Sequence, residues 1–352
     1  MLECDILIVG AGPAGSSAAL NASKAGCTVL MVERKRTIGQ PVQCAELLPN
    51  NLLKDAYMDP RSIIQEIKTS KTFFPNGESV EHASNTYMMD RAVFDKGLAV
   101  QAAHEGARIL IRTTCISKKG EKVLLKRGSK EIEVLPKIII GADGPKSTVG
   151  TWIASMNKEF LTTLQYEVPL TSPQESIEFY FDPDFFGGYG WLFPKGKTAN
   201  VGLAVKYSPQ RGAPGMHGLL KKFVARLCSD KKIEDNPVSV TGGLIPVGGP
   251  VNTHAGTILL AGDAAGQTHP ITGGGIGQAF ACGKLAAQAA VEALRENDLR
   301  LLARYEFTWR YILGKELKRA CMKRKILESH WNELDSIIKR CWVMFRDYYE
   351  ED

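Results

Sequence analysis

Residues Asp5 to Glu33 read DILIVGAGPAGSSAALNASKAGCTVLMVE, and this stretch decides the fold. Its apolar runs at 5–9 and 28–32 have the length of buried strands, and the alanine-rich run at 16–25 between them predicts a helix. Two strands joined by a helix in this way are the opening unit of a dinucleotide-binding domain.

The turn between the first strand and the helix carries the pattern G-x-G-x-x-G at Gly10, Gly12 and Gly15. We expect the first glycine to permit the tight turn, the second to let the backbone approach a pyrophosphate, and the third to allow close helix–strand packing. The helix N-terminus would then offer free N–H groups to the anion. Glu33 follows Gly15 by 18 residues, near the spacing of about 20 for the acid that binds a ribose hydroxyl. This turn predicts a dinucleotide cofactor but does not separate FAD from NAD.

Two further glycine motifs each follow an apolar strand. GADG at 141–144 comes after the strand predicted at 138–140, and AGDAAG at 261–266 comes after the one predicted at 257–260. Either motif alone fits an ordinary turn, but three in order, each directly after a strand, favour a cofactor site. Three consecutive glycines at 273–275 precede a long predicted helix, where bare backbone N–H groups would stabilise a planar anionic group such as a reduced flavin ring.

The composition is that of an ordinary globular protein. The chain has 352 residues, of which 44% are hydrophobic and 23% are charged. No apolar run approaches the length of about 18 residues that a membrane span needs, and the N-terminus lacks the pattern of a secretory signal. The eight cysteines are scattered without a C-x-x-C pair, so neither a zinc site nor a disulfide framework is indicated. We therefore expect a soluble, cytoplasmic protein without a bound metal.

Positive charge is concentrated near the C-terminus. The whole chain carries a formal charge of +6, whereas the segment from Arg300 to Lys325 alone has nine basic and two acidic residues. Such an excess suits phospholipid, nucleic acid or an acidic protein, and a solvated helix face is an equally open alternative. Of these partners we expect an anionic membrane, with the protein peripheral to its inner face, and no nucleic acid.

Two motifs outside the glycine turns narrow the class of protein. They are GQPVQCAE at 39–46 and YGWLFPKG at 189–196. They resemble the P-x-x-C-x-E region and the Y-x-W-x-F-P-x-G motif of the geranylgeranyl reductase family, and the segments 90–96 and 242–246 fit the same family. The second and third glycine motifs resemble the FAD-binding signatures of the flavin hydroxylase and reductase superfamily. The resemblance extends from the N-terminus to about residue 295, and the chain is somewhat short for the family.

The resemblance implies an enzyme that binds FAD and saturates the C=C bonds of polyprenyl chains in lipids or isoprenoid precursors, by hydride transfer from the reduced flavin. It implies that Asp263 hydrogen-bonds the ribityl chain and that Arg91 contacts the cofactor or anchors its loop. It also places Cys44 in a loop close to the flavin, where the thiol would donate a proton or gate the ring. An inert buried thiol is the alternative for Cys44.

Aromatic side chains alternate along the segment that resembles the substrate motif. Tyr189, Trp191 and Phe193 share one face if this segment is a strand. They would then form either an aromatic wall for an apolar, extended substrate or part of the protein core. With Cys44, these three side chains are our candidates for the catalytic centre.

The expected fold class is α/β: a glutathione-reductase-type FAD-binding Rossmann-like domain with an inserted antiparallel β-sheet substrate domain and C-terminal helices. Alternating segments at 176–181 and 200–205 predict the antiparallel strands, and a short helix is predicted to end near Leu53. The predicted boundaries are 1–70, 88–160 and 244–297 for the FAD-binding domain, 71–87 and 161–243 for the β-rich domain, and 298–352 for the C-terminal helical region.

The motifs and the resemblance together define the expected cofactor residues. These are Gly10, Gly12, Pro13, Ala14, Gly15, Glu33, Arg34, Cys44, Ala45, Arg91, Ala142, Asp143, Gly144, Gly262, Asp263, Gly274, Gly275 and Ile276. The sequence contains no second G-x-G-x-x-G unit for a nicotinamide, so NAD(P)H visiting transiently, a ferredoxin or a small reductant would supply electrons. The expected substrate is a long-chain isoprenoid lipid. The competing interpretations are an FAD-dependent monooxygenase or halogenase and a quinone-linked flavoprotein dehydrogenase.

Overall fold

The computed structural model describes residues 1–49, 59–206 and 215–350. Within these ranges the α-helices are α1 (Pro13–Lys24), α2 (Arg91–His104), α3 (Thr148–Trp152), α4 (Met216–Ser229), α5 (Ile276–Arg295), α6 (Arg304–Ser329) and α7 (Leu334–Cys341). The strands are β1 (Leu2–Val9), β2 (Val29–Glu33), β3 (Leu47–Pro49), β4 (Ile63–Phe73), β5 (Ser79–Met89), β6 (Arg108–Ile111), β7 (Thr113–Lys119), β8 (Lys122–Arg127), β9 (Lys130–Gly141), β10 (Phe160–Pro169), β11 (Ser176–Tyr180), β12 (Gly190–Lys195), β13 (Thr198–Lys206), β14 (Ser239–Pro246), β15 (His254–Ala255) and β16 (Ile258–Leu260).

The first sheet is the dinucleotide-binding sheet that the N-terminal stretch predicts. Its order is β15-β16-β9-β1-β2-β6, with parallel pairing along β16-β9-β1-β2-β6, and β7 and β8 extend it from β9. Ile6, Leu7 and Ile8 of β1 are all fully buried, because helices α1 and α5 cover one face and a second apolar cluster covers the other. Because these strands are parallel, their carboxyl ends lie at the same edge of the sheet, and the glycine motifs follow three of them.

The second sheet has the order β14-β10-β13-β12-β11-β4-β5-β3 and is antiparallel apart from the pairing of β11 with β4. Helix α4 packs on one face through Leu220, Phe223 and Leu227. The other face is covered by the C-terminal segment, which contributes Trp342 and Tyr348 to one apolar cluster with the sheet. The expected α/β fold class is confirmed.

A strand stands where part of one predicted helix was expected. The short helix expected to end near Leu53 is wrong over Leu47–Pro49, which forms β3 because Leu48 is fully buried and pairs with Tyr87 of β5. The rest of that predicted helix, from residue 50 onward, lies outside the described residues. The domain boundaries stay a prediction; the second sheet itself takes in β4 from Ile63 and β5 to Met89. Among the described helices, none is long and apolar enough to cross a bilayer.

Candidate active site

The three glycines of the first turn have three different environments. A Cβ on Gly10, which has φ +101°, would lie 2.2 Å from the Ala142 carbonyl oxygen, and a Cβ on Gly15 would lie 1.8 Å from that of Gly10. A Cβ on Gly12 would meet no atom within 4 Å. Gly10 and Gly15 are therefore required by packing between the strands and α1, whereas Gly12 borders open space at the N-terminus of α1.

Glu33 lies beside this turn, at the end of β2. Its carboxylate accepts hydrogen bonds from the Ala11 N–H (2.9 Å) and from the Lys35 N–H (2.9 Å), and the side chain is buried. The next residue, Arg34, is exposed. The 18-residue spacing thus brings the acid to the phosphate turn, where an oxygen that accepts one hydrogen bond retains capacity for a ribose hydroxyl.

The GADG motif is ordered by its own aspartate. Asp143 accepts hydrogen bonds from the Ser147 hydroxyl and from the N–H groups of Thr148 (2.7 Å) and Val149 (3.2 Å), so it caps α3. Burial raises the pKa of this carboxyl, and these hydrogen bonds oppose the rise. Ala142 contacts the first glycine turn, and Gly144 has φ +86°. Direct contact of Ala142, Asp143 and Gly144 with a cofactor stays a prediction.

Asp263 and the following loop occupy the start of α5. The Asp263 carboxylate accepts a hydrogen bond from Thr268 Oγ1 (2.7 Å), and burial raises the pKa of this carboxyl. The loop closes on itself through the His269 N–H, which donates to the Gly274 carbonyl (2.8 Å). Gly275 is the N-cap of α5 and provides no side-chain cap for Ile276 or the next N–H groups.

The helices themselves test whether these residues fit FAD. α1 begins after Gly12 and α5 after Gly275, and neither helix has a side-chain cap, which is also true of α4, α6 and α7. α1 and α5 also pack directly, since a Cβ on Gly283 would lie 2.1 Å from the Ala14 carbonyl oxygen. Uncapped N-termini on two helices that pack together suit a cofactor with a pyrophosphate in its middle and, at one end, a ring that is anionic when reduced. The residues present fit the group.

The Cys44 loop is fastened to the second sheet. Gln165 Nε2 donates to the Cys44 carbonyl (3.2 Å), and Asn200 Nδ2 donates to the Ala45 carbonyl (3.2 Å). The Cys44 Sγ accepts from the Glu46 N–H (3.2 Å). Burial raises the pKa of the Cys44 thiol, and the nearby Arg91 guanidinium offsets part of that rise. The thiol is thus held in its neutral form at physiological pH.

Arg91 joins this loop to α2. Its guanidinium donates to both carboxylate oxygens of Asp95, at 3.1 and 2.9 Å, and the two side chains are 14% and 8% exposed. This buried bidentate pair fixes the direction of the guanidinium. The positive charge of Arg91 lowers the pKa of both the Cys44 thiol and the Asp263 carboxyl, against the larger rise that burial causes in each.

The aromatic side chains lie on one face of the sheet, as their spacing predicts. The ring centroids are 6.0 Å apart for Tyr189 and Trp191 and 6.4 Å apart for Trp191 and Phe193. Phe179 and Trp342 pack edge-on against this group, and Tyr189, Trp191 and Phe193 are less than 10% exposed. In this structure the face is therefore part of a core cluster that the C-terminal segment covers, as the packing alternative anticipates.

Two hydrogen bonds connect the aromatic face with the other site segments. Tyr189 OH donates to the Thr272 carbonyl of the glycine loop (2.6 Å). Trp191 Nε1 donates to Gln165 Oε1 (2.9 Å), and the same Gln165 amide holds the Cys44 loop. The structure thus brings the Cys44 motif, the aromatic motif and the glycine loop together.

Sequence reasoning missed a buried polar cluster at this junction. Glu46, in the left-handed region at φ +68°, accepts from Lys195 Nζ (2.6 Å), Asn200 Nδ2 (3.0 Å) and the Arg91 N–H (2.9 Å). Gln165 was missed as well. Glu46 and Lys195 stand in the two motifs quoted from the sequence, so the motifs held the signal, but nothing in the spacing pairs residues 149 positions apart.

Comparison with known proteins identifies the class. The family model of the geranylgeranyl reductase catalytic domain matches residues 160–245, and that of FAD dependent oxidoreductases matches residues 5–40. Digeranylgeranylglycerophospholipid reductase 2 of Methanopyrus kandleri is 37% identical over 94% of this chain and 88% of its own length. Digeranylgeranylglycerophospholipid reductase of Methanocaldococcus jannaschii is 33% identical over 95% of this chain and 89% of its own length.

Solved structures agree. A geranylgeranyl bacteriochlorophyll reductase-like protein from Thermoplasma acidophilum superposes with a TM-score of 0.85 at 27% identity, over 96% of this chain and 92% of its own. The myxobacterial halogenase CndH reaches a TM-score of 0.71 at 18% identity, over 90% and 82% of the two chains, which shows a shared fold alone.

These matches confirm the resemblance and correct its extent. A relative that aligns with 94% of the chain must align with residues beyond 295, where the resemblance was expected to stop. They also decide between the two dinucleotides, because the match over the first turn is to FAD dependent oxidoreductases. The chain belongs to the geranylgeranyl reductase family of FAD-dependent oxidoreductases.

Proposed function

We propose that this protein saturates the carbon–carbon double bonds of geranylgeranyl chains carried by glycerophospholipids. The observation that carries the proposal is the match to digeranylgeranylglycerophospholipid reductases over nearly the whole chain, at 33–38% identity. The junction of the Cys44 loop, the aromatic face and the glycine loop supports it, because an isolated alkene needs a dry, apolar, shaped site more than it needs a strong acid.

The chain's own residues divide the work as follows. The first glycine turn and Glu33 would hold the pyrophosphate and a ribose of FAD, and Asp263 with the N-terminus of α5 would hold the ribityl chain and the ring. When bound and reduced, FAD supplies the hydride. Arg91 and Asp95 would keep the Cys44 loop against the cofactor.

Cys44 would provide the proton that completes the reduction. A thiol whose pKa is raised by burial carries its proton at neutral pH and is positioned by the Glu46 N–H. Tyr189, Trp191 and Phe193 would line the path of the isoprenoid chain, which requires that the C-terminal cover around Trp342 yields to the substrate. A cysteine that only packs is the alternative, and a substitution separates the two.

The electron donor is part of the same proposal. We expect NAD(P)H, visiting without a domain of its own, or a reduced ferredoxin. The two differ in a direct assay: each is added anaerobically to the oxidised holoprotein, and the loss of flavin absorbance is timed.

The substrate also bears on location. We propose that the protein works as a peripheral protein on the inner face of an anionic membrane, where phospholipids with geranylgeranyl chains would be found. The eight cysteines form no disulfide in the described part of the chain, and a reducing compartment keeps thiols in that state.

One experiment tests the reaction. The bound flavin is photoreduced without oxygen, a digeranylgeranyl phospholipid is added in detergent, and flavin reoxidation is followed while mass spectrometry tracks the lipid. We expect reoxidation together with a gain of two hydrogens per double bond. A flavin that stays reduced until oxygen is admitted would instead favour a monooxygenase. Cys44→Ser should retain FAD and lose most of the reductase activity; unchanged turnover would assign this cysteine to packing.

A further inference from the structure

Helix α6 has two faces with opposite environments. Its buried face includes Tyr305, Trp309, Leu317 and Ala320, which pack into the protein core. Its outer side carries an exposed stripe that we name the lysine–aromatic face. Residues three or four positions apart lie on one side of a helix, and the members of this stripe keep that spacing throughout. They are Phe307, Tyr311, Lys315, Lys318, Met322 and Lys325.

The apolar members of the lysine–aromatic face are unusually exposed. Tyr311 is 85% and Phe307 is 76% exposed, the two largest fractions among the large apolar side chains of the described chain, and Met322 is 50% exposed. Single exposed apolar side chains are common and need no explanation. Two aromatic rings one helical turn apart, with the neighbouring Ile312 at 57%, form a contiguous apolar strip, and such strips mark binding surfaces.

The free positive charge of the C-terminal segment lies on this same face. Five of the nine basic residues between Arg300 and Lys325 form ion pairs with acidic side chains: Arg300, Arg304, Arg310, Arg319 and Arg324. Within the described part of the chain, Lys315, Lys318 and Lys325 have no acidic side chain within ion-pair distance. The charge excess of this segment is therefore reduced mainly to these three lysines, which follow the two exposed rings along the same side of the helix.

The opposite side of α6 contacts the candidate active site. Arg324, only 3% exposed, donates to the Pro270 carbonyl (2.7 Å) in the glycine loop and to the Gly187 carbonyl (2.8 Å) just before the aromatic strand. About two helical turns before Arg324, Glu316 Oε1 lies 3.1 Å from His269 Nε2. The helix that presents the lysine–aromatic face to solvent thus also holds the loops that flank the reaction centre.

We propose that the lysine–aromatic face docks the protein on an anionic phospholipid bilayer. Aromatic rings prefer the headgroup region, and lysines on the same side of the helix meet lipid phosphates, which is the pattern of a helix lying in the membrane interface. The exposed apolar strip distinguishes a bilayer from nucleic acid, which lysines alone would serve. This inference rests on the proposed function, since a lipid-borne substrate gives the reason for docking.

The test is sedimentation of the full-length, FAD-loaded protein with vesicles. One set contains phosphatidylglycerol and phosphatidylcholine in equal amounts, and the other contains phosphatidylcholine alone. The protein should bind the anionic vesicles, and added salt should release it. The triple variant Lys315→Gln/Lys318→Gln/Lys325→Gln should lose about fivefold in partitioning per lysine, or roughly a hundredfold in total. The double variant Phe307→Ser/Tyr311→Ser should also bind more weakly.

A matched control carries the same loss of charge elsewhere. Lys119, Lys126 and Lys130 are exposed residues of the β7–β9 region, remote in sequence from α6, and their change to Gln should leave vesicle binding unaltered. An equal loss in this control, or binding of the α6 variants at the wild-type level, would overturn the proposal. So would dissociation of a self-associated protein by Phe307→Ser/Tyr311→Ser in sedimentation velocity, because the face would then belong to a second copy of the chain.

A second readout separates this proposal from the proposed function. Reduction of a geranylgeranyl lipid dissolved in detergent needs no docking, so the α6 variants should retain it while losing activity on vesicles. Docking without any reductase activity in detergent would refute the function and leave the docking surface standing. Reductase activity in detergent, with no binding of the wild-type protein to anionic vesicles, would refute the docking surface and leave the proposed function standing.

Discussion

Gly12→Ala offers the sharpest test of how the first turn binds its cofactor. Gly12 has φ −79° and ψ −172°, a conformation that any residue adopts, and a methyl group there meets no protein atom within 4 Å. The apoprotein should therefore fold, and its free energy of unfolding should change by less than about 1 kcal/mol, because alanine restricts the unfolded chain but is a poorer N-cap of α1 than glycine. If the pyrophosphate of FAD lies against the backbone at Gly12, the added methyl group would occupy the space that the pyrophosphate needs.

The expected loss of FAD affinity is at least tenfold, equivalent to about 1.4 kcal/mol. Apoprotein is titrated with FAD and followed by quenching of flavin fluorescence, and urea denaturation of the apoprotein gives its stability. Gly15→Ala provides the opposite case, because its Cβ would lie 1.8 Å from the Gly10 carbonyl oxygen and must displace the backbone. This variant should lose stability as well as FAD, by about 1–3 kcal/mol or more.

Gly218→Ala is the control for the alanine itself. Gly218 lies in α4 with open space around its Cα, far from the glycine turns in sequence, and its substitution should leave FAD binding unchanged. A stable Gly12→Ala apoprotein that binds FAD as tightly as the wild type would refute the reasoning, because the open space at Gly12 would then not be the pyrophosphate site.

Three further expectations concern single side chains. Trp342→Ala should lower the free energy of unfolding by about 3–5 kcal/mol in urea denaturation, since the ring is 1% exposed within an aromatic cluster; a loss below 1 kcal/mol would mean that the C-terminal cover is loosely packed. Glu46→Ala should lower the free energy of unfolding by about 3–5 kcal/mol, because Lys195 loses its buried partner. The double variant Glu46→Ala/Lys195→Met should recover part of this loss in the same assay, whereas additive losses would exclude coupling between the two residues. Burial raises the pKa of Cys44, and the protonated thiol is the proposed acid. The rate of double-bond reduction should therefore be constant through neutral pH and fall as the pH rises through the pKa of this thiol. If the Cys44→Ser variant keeps the same fall at alkaline pH, another group is responsible for it.

The first sheet could be predicted because its signals are local. The runs at 6–9 and 29–32 are apolar at every position, as parallel strands covered on both faces must be, and each glycine motif directly follows a strand. The second sheet was predicted from alternation at 176–181 and 200–205, which gives the face of each side chain. What alternation cannot give is the partner strand, so the parallel pairing of β11 with β4 was not foreseen.

The polar junction of the site could not be read from spacing because its members are far apart in the chain. The Glu46–Lys195 pair and the Gln165 bridge between Cys44 and Trp191 depend on strand register, which a single sequence does not specify for long connections. The cover of the aromatic face by Trp342 is a similar case. An aromatic residue at the right period belongs to a buried face whether a ligand or the protein's own C-terminus buries it.

The composition of the C-terminal segment likewise does not reveal which of its charges are free. A count of nine basic and two acidic residues between Arg300 and Lys325 describes composition only. Ion pairs with acids inside and outside the segment, Glu292 and Asp298 among them, neutralise all five of its arginines. What survives is set by helix geometry, because the unpaired lysines recur on one side of α6 together with the exposed rings. Lysine suits that surface, since its flexible stem reaches a phosphate, and the planar, multiply donating guanidinium of Arg324 suits its buried position, where it donates to carbonyls of two loops of the candidate site. Arg324 thus ties the inner side of α6 to the loops of the candidate active site, while Lys315, Lys318 and Lys325 lie on the exposed side that we propose as the docking surface.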